Sequence, residues 1–262
     1  MMQPIAVVTY NLRVNTPYDG ENSFENRKDL VRRKLLASMP DILCFQEALP
    51  DMFAWLRNIL GNSYDFVGFG RMADFGDEAN PIFFRRDRFR LHGFEQIWLS
   101  DAPYKPGSRF PGQSPCPRIC VCAELKPFDG EPFRVFNTHL DHPFEAENIR
   151  LAEIEAVFRF ISEQNQKCSK PFILTGDFNA KPDSKTLCRV RENCSPTVVD
   201  ITGEIPVTYH AYGKEPPEKI DYIIVPKGTS CGDVSAWTDF DGVHYLSDHY
   251  PVEAEIIAFS EK

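Results

Sequence analysis

The sequence predicts a mixed α/β fold in one domain, with antiparallel as well as parallel strands. Three observations predict it. Apolar runs of strand length recur from one end of the chain to the other. Stretches with apolar residues at i, i+3 and i+7 lie between some of these runs, the signature of helices with one buried face. The strand-like runs between 80 and 140 follow one another with no helix between them, which predicts antiparallel pairing there. A length of 262 residues suits one large α/β domain, and no linker-like stretch divides it, so the domain is expected to span 1–262.

Taken in order, the first strand is IAVVTY at 5–10, followed by a helix over 25–38 with Leu30, Val31 and Leu35 inward. DILCFQ at 41–46 is the second strand. A helix over 50–60 comes next, where Phe53, Leu56 and Leu60 form a stripe widened by Met52 and Ile59. The runs at 80–86, 118–125 and 133–140 read as strands. Between the first two lies a loop over 100–117, stiffened by Pro103, Pro106, Pro111, Pro115 and Pro117 and excluded by them from sheet ladders. Polar loops are expected at 15–22, 70–79 and 208–219. Ile154, Val157, Phe158 and Ile161 give the inner face of a helix over 145–165. PFILTG at 171–176 is a buried strand, and Asp183, after Pro182, reads as the N-cap of a helix beyond it. The runs at 220–225 and 251–256 close the series.

Composition narrows the function. The net charge is −9 and the pI about 5.2, whereas proteins that grip long duplex nucleic acid carry a basic face to neutralise phosphates. Eight cysteines, at 44, 116, 120, 122, 168, 188, 194 and 231, form no CxxC pair. A structural zinc site is therefore not expected, and free thiols in a reducing cytoplasm are. The N-terminus shows no secretion signal, and no apolar run approaches the roughly 18 residues of a membrane span.

The chemistry gathers at strand ends. VVTYN ends on Asn11, ILCFQE on Glu47, FRVFNTHLD delivers His139, and FILTGDFN delivers Asp177 and Asn179. In extended chain Asp177 and Asn179 would share a face. Asp221 opens a strand instead, and Asp248 and His249 precede another, so the last strands must run against the earlier ones for these groups to meet. Each residue alone has an ordinary reading, as a solvated loop carboxylate, a cap or a satisfied histidine. Together they form a set that chance does not supply. Hard oxygen donors without a cysteine set select Mg²⁺ or Mn²⁺. A divalent ion can draw charge from a phosphoryl oxygen, and a histidine held by a carboxylate can take a proton from water. The inventory points to metal-assisted hydrolysis of a phosphate ester.

The motifs NLR (11–13), QE (46–47), NTHLD (137–141), GDFN (176–179), IDYI (220–223) and SDHYPV (247–252), in this order from Thr9 to Pro251, resemble the endonuclease/exonuclease/phosphatase superfamily. The segments 76–89, 98–108, 117–125 and 208–213 are similar in particular to a bacterial group of uncharacterised members. The resemblance implies a four-layered α/β sandwich, two stacked mixed sheets flanked by helices, with the site at one end of the sheets. It implies Glu47 as the main Mg²⁺ ligand, with Asn11 and Asp248 near the ion. Asp177 and Asn179 would place the water and the phosphate, and His249, oriented by Asp221, would be the base or a phosphate contact. His139 would stabilise a phosphate oxygen or the leaving group. Arg13 stands where apurinic-site endonucleases carry an acid, which argues against duplex-DNA repair. Arg118 is a candidate phosphate contact beside the proline-rich loop, and Tyr209 and His210 are candidates for the pocket wall. The expected substrate is a small or single-stranded phosphate ester. A nuclease acting on nucleic acid, or a non-catalytic binding protein of the same fold, is the alternative.

Overall fold

Strands that are apolar at every position need cover on both faces, and this chain supplies it twice. The computed structural model describes residues 3–192 and 197–259. The first sheet takes β1 (Ile5–Asn11), β2 (Ile42–Gln46), β3 (Tyr64–Val67) and β4 (Ile82–Arg85) from the start of the chain, and β11 (Ser230–Ala236) and β12 (Val252–Ala258) from its end. Its order is β11-β12-β1-β2-β4-β3. The second is built from β5 (Phe89–Trp98), β6 (Ile119–Pro127), β7 (Phe133–His139), β8 (Phe172–Asp177), β9 (Val198–Asp200) and β10 (Asp221–Pro226), in the order β5-β6-β7-β8-β10-β9. In each sheet one central pair is parallel, β1 with β2 and β7 with β8, and the other pairs are antiparallel.

Alternation of side chains decides which core each residue joins. Ile5 and Val7 of β1 face the second sheet, where they share a core with Val121, Val135, Ile173 and Ile223. Val8 and Tyr10 point the other way, onto helices α1 (Phe24–Ser38) and α2 (Pro50–Leu60), against Val31, Leu35, Met52 and Leu56. The outer face of the second sheet does the same with α3 (Glu147–Lys167) and α4 (Lys185–Glu192): Phe136, Leu174 and Ile224 meet Ile154, Val157, Ile161 and Leu187. The result is helices, sheet, sheet, helices, the four layers that the motifs implied.

Several expectations change. The strand at 82–85 does not join the antiparallel run that follows it; it belongs to the first sheet, and the chain crosses between sheets just before β5. Strands β3, β5, β9 and β11 carry no sequence signal strong enough to have been expected. The 15–22 loop contains a 3-10 helix, Pro17–Asn22. Ser184, not Asp183, caps α4: its Oγ accepts from the Leu187 N–H at 3.2 Å, and Asp183 is left facing a cleft. Seven cysteines are free among the described residues, and Cys194 lies outside them. Among the described residues no helix is long and apolar enough to cross a membrane.

Candidate active site

Parallel neighbours end side by side, so β1 with β2 and β7 with β8 release their last residues at the same end of the molecule. Asn11, His139 and Asp177 are the final residues of their strands, and Glu47 follows β2 directly. β10 runs antiparallel to β8 and β12 antiparallel to β1, which brings Asp221, Asp248 and His249 to that end from the opposite direction. The backbone bends sharply here. Arg13, Glu47 and Asn179 all adopt positive φ, of 57°, 58° and 48°, a conformation costly for residues with a Cβ and found where a site over-determines it. Asp177 and Asn179 are therefore not neighbours along an extended strand. They are joined by a turn in which the Asn179 N–H donates to Asp177 Oδ1 at 2.8 Å. Just before it, Gly176 lets β7 come close, since a Cβ there would stand 2.2 Å from the Thr138 carbonyl oxygen.

One hydrogen-bonded chain spans both sheets. The Nδ2 of Asn11 donates to Glu47 Oε1 at 3.0 Å and to Asp177 Oδ2 at 2.9 Å. The other Glu47 oxygen accepts from the Val14 N–H at 2.8 Å. His249 Nδ1 lies 2.8 Å from Asp221 Oδ2, and its Nε2 lies 3.8 Å from Asp177 Oδ2. His139 Nε2 stands 3.6 Å from the same Asp177 oxygen and 3.0 Å from Asn179 Nδ2. Thr208 fixes Asp221 from below, its Oγ1 accepting from the N–H groups of Ile220 at 2.9 Å and Asp221 at 3.0 Å.

The electrostatics follow from burial and crowding. Burial, then the charge of Asp221, pushes the Asp177 carboxyl up to about 7. His249 goes the other way: burial opposes its charge, but Asp221, Asp177 and Asp248 outweigh that and hold it protonated up to about 10. Burial and the nearby Arg118 and Arg71 keep His139 neutral, well below an ordinary histidine. Glu47 is held ionised against its burial by the bonds from Asn11 and Val14 and by the Arg13 charge. The donor atoms of Glu47, His139 and Asp177 lie within 4.8 Å of one another, as do those of Asp177, Asp221 and His249. This donor set, oxygen-rich and crowded enough to raise a buried carboxyl well above its ordinary range, suits a hard divalent cation.

The other expected residues fall in different places. Asp248 belongs to neither trio; its carboxylate accepts from Ser247 Oγ at 3.1 Å and sits 3.6 Å from Arg13 Nε. Asn11 turns its amide nitrogen, not its oxygen, toward the carboxylates, and its oxygen accepts from the Arg13 N–H at 2.9 Å. Here it bridges the acids; binding an ion would require the amide to turn over. Arg118 lines the cleft, with Nη2 3.0 Å from His142 Nδ1 and Nε 3.5 Å from Asp141. Tyr209 also lines it, its ring 5.0 Å from that of His249. His210 does not: its ring stacks on Tyr250 at 4.2 Å, away from the cleft, and its Nδ1 accepts from the Tyr212 N–H. The sequence reading missed Arg71 and Glu78, paired across the cleft wall at 2.6 Å, and Arg150. Only the charged character of the 70–79 loop hinted at the first two. The cleft has a volume of about 760 Å³.

The family model described as Endonuclease/Exonuclease/phosphatase family matches residues 8–249, from β1 to the His249 of the site. The chain belongs to the endonuclease/exonuclease/phosphatase family. Members of this family are phosphoester hydrolases that depend on divalent metals. A solved endonuclease/exonuclease/phosphatase from Bacteroides vulgatus superposes with a TM-score of 0.89 at 28% identity, covering 98% of this chain and 100% of that one. Human Nocturnin is 28% identical over 197 residues, which are 68% of this chain and 44% of Nocturnin. The chain thus spans under half the length of that curated relative, and a quarter of Drosophila Nocturnin. A mannosyl-6-phosphatase of Bacteroides thetaiotaomicron shares the fold, with a TM-score of 0.83 at 23% identity over 97% of this chain and 99% of that one.

Proposed function

We propose that this member of the family is a Mg²⁺- or Mn²⁺-dependent hydrolase of a small or single-stranded phosphate ester, working in the cytoplasm. One observation carries the reading: Glu47, His139 and Asp177 from three strand ends converge on the Asp221–His249 pair within one cleft. The net charge of −9 favours a small ester over a long duplex, and the seven free thiols among the described residues favour a reducing compartment.

Glu47 would hold the ion with Asp177, and Asn11 and Asp248 would stand at its edge. When bound, the ion draws charge from the phosphoryl oxygens and relieves the crowding of the carboxylates. Asp177 and Asn179, tied by their turn, orient the attacking water. Asp221 anchors His249 through Nδ1 and leaves Nε2 to hand over or take a proton beside Asp177 and to meet a phosphate oxygen. His139 offers Nε2 to the same space. Arg118 holds remaining phosphate charge from the cleft wall, and Tyr209 flanks it. His210 acts from outside the cleft: its N–H donates to the Asp248 carbonyl at 2.9 Å and so fixes the loop that carries Asp248 and His249.

Hydrolysis of bis(p-nitrophenyl) phosphate and p-nitrophenyl phosphate, with Mg²⁺ or Mn²⁺ and then with EDTA, tests this reading. Turnover should require the metal, and the better ester distinguishes a diesterase from a phosphatase. Asp177→Ala and His249→Ala should each lower turnover by about 10²-fold or more with the fold intact. Near-normal activity in both variants would sink the mechanism.

A further inference from the structure

Arg13, two residues after Asn11, puts a full positive charge beside the carboxylates that would hold an ion. Like charges repel, so a cation kept there needs a reason. Arg13 lines the cleft together with Glu47, Asp248 and His249. Its backbone is fixed at the positive φ of 57° from both sides. Its N–H donates to Asn11 Oδ1 at 2.9 Å, and its carbonyl accepts from the Nη2 of the buried Arg27 at 3.3 Å.

The side chain itself is held as well. Nε donates to Asp19 Oδ2 at 2.9 Å and Nη2 to Asp19 Oδ1 at 3.0 Å, a paired fork. Nε also lies 3.6 Å from Asp248 Oδ2. Asp19 lies off the cleft, and its carboxylate makes no other hydrogen bond among the described residues. Arg13 Nη1 makes none among them. The Arg13 side chain is 33% exposed where those of Asp19 and Asp248 are 6% and 8%, so the open side of the guanidinium is the one on the cleft.

We propose that Arg13 is a phosphate contact: Asp19 clamps one edge of the guanidinium, and Nη1 donates to a phosphate oxygen of the ester. This adds a substrate contact to the hydrolase reading and rests on it. A guanidinium held in advance loses little freedom when the anion arrives, and its charge is matched by phosphate and not by the ion. The contact therefore has a signature that a structural ion pair lacks. Removing the charge should weaken phosphate binding and strengthen metal binding.

Calorimetry with inorganic phosphate in saturating Mg²⁺, and Mn²⁺ binding followed by electron paramagnetic resonance without phosphate, measure the two affinities apart. Arg13→Met should bind phosphate about tenfold or more weakly and Mn²⁺ about threefold or more tightly. Arg13→Lys keeps the charge without the fork, so phosphate should weaken while Mn²⁺ stays at the wild-type affinity. Asp19→Asn cannot touch the phosphate, yet it should weaken phosphate too, because it releases the guanidinium. Wild-type phosphate affinity in Arg13→Met, weakening of both ligands together, or no phosphate binding by the wild type overturns the contact. Hydrolysis of p-nitrophenyl phosphate by the same proteins tests the hydrolase reading separately. Phosphate affinity that falls in Arg13→Met, alongside no hydrolysis of any ester, supports the contact and removes the hydrolase. Hydrolysis at the wild-type rate in Arg13→Met does the reverse.

Discussion

Asp177 Oδ2 is the atom on which the cluster meets, with Asn11 Nδ2 at 2.9 Å, His139 Nε2 at 3.6 Å and His249 Nε2 at 3.8 Å. The end of an apolar run is legible in a sequence, and it places Asn11, Glu47, His139 and Asp177 at strand ends, whereas the alternation expected for Asp177 and Asn179 gives way to a turn. A strand end does not say which atom of an amide faces a carboxylate, and Asn11 turns its nitrogen to bridge Glu47 and Asp177. His210, expected at the pocket wall, lies off the cleft, because in the sequence a histidine in a polar loop looks the same whether it faces a cleft or stacks on Tyr250. Glu153 gave no signal at all, since a lone Glu in an amphipathic helix reads as solvated. It is fully buried, with one oxygen on the Asp141 N–H and the other unpartnered, and burial pushes its carboxyl up to about 8 against the pull of Arg118. The folded chain therefore keeps this proton to about pH 8, whereas the unfolded chain releases it near 4.5. Between those values the native state binds more protons, so stability falls as pH rises. Glu153→Gln has no such proton to lose. Its Tm should gain on the wild type from pH 5 to pH 8 and then hold a constant lead; a difference independent of pH would mean that Glu153 is ionised throughout.

Among the elements, those that escaped the sequence reading have one thing in common. β3, β5, β9 and β11 are the edge strands of the two sheets. An interior strand is covered on both faces and reads as an unbroken apolar run, whereas an edge strand keeps much of its surface wet. β11 has no fully buried residue, and the first half of β5 is largely exposed. The helices were legible because their stripes face a sheet. The cap of α4 was misplaced by one residue, which is the tolerance of any boundary read from spacing. Loop-to-strand ties were invisible, and Thr208 shows their weight. Its hydroxyl accepts two backbone N–H groups at the start of β10. Thr208→Val keeps the shape and leaves both donors buried without a partner. Urea denaturation should show a loss of about 2 kcal/mol or more, and turnover should fall with it as Asp221 loses its support. An unchanged midpoint would show that water replaces the hydroxyl without cost.

For the whole molecule, the sheets share one core, with Val7, Ile42 and Ala254 from the first against Val121, Val135 and Ile223 from the second. Polar ties cross the same boundary: Gln46 Nε2 donates to Asn137 Oδ1 at 2.7 Å, and Asn137 Nδ2 to the Phe45 carbonyl at 2.7 Å. We expect the chain to unfold as one cooperative unit, with coincident far-ultraviolet and near-ultraviolet thermal transitions; two separated transitions would mean that the sheets are independent domains. This cross-sheet pairing was not legible, because periodicity reports that a face is buried and not what buries it. The path of the chain has a further consequence. It starts the first sheet, builds the second entirely, and returns to place β12 beside β1. During synthesis β1 must therefore wait until β2 to β11 have all been made before its second edge is paired. Without the segment from Asp248 onward, β1 would lose its β12 partner, and Asp221 would lose the imidazole that it holds.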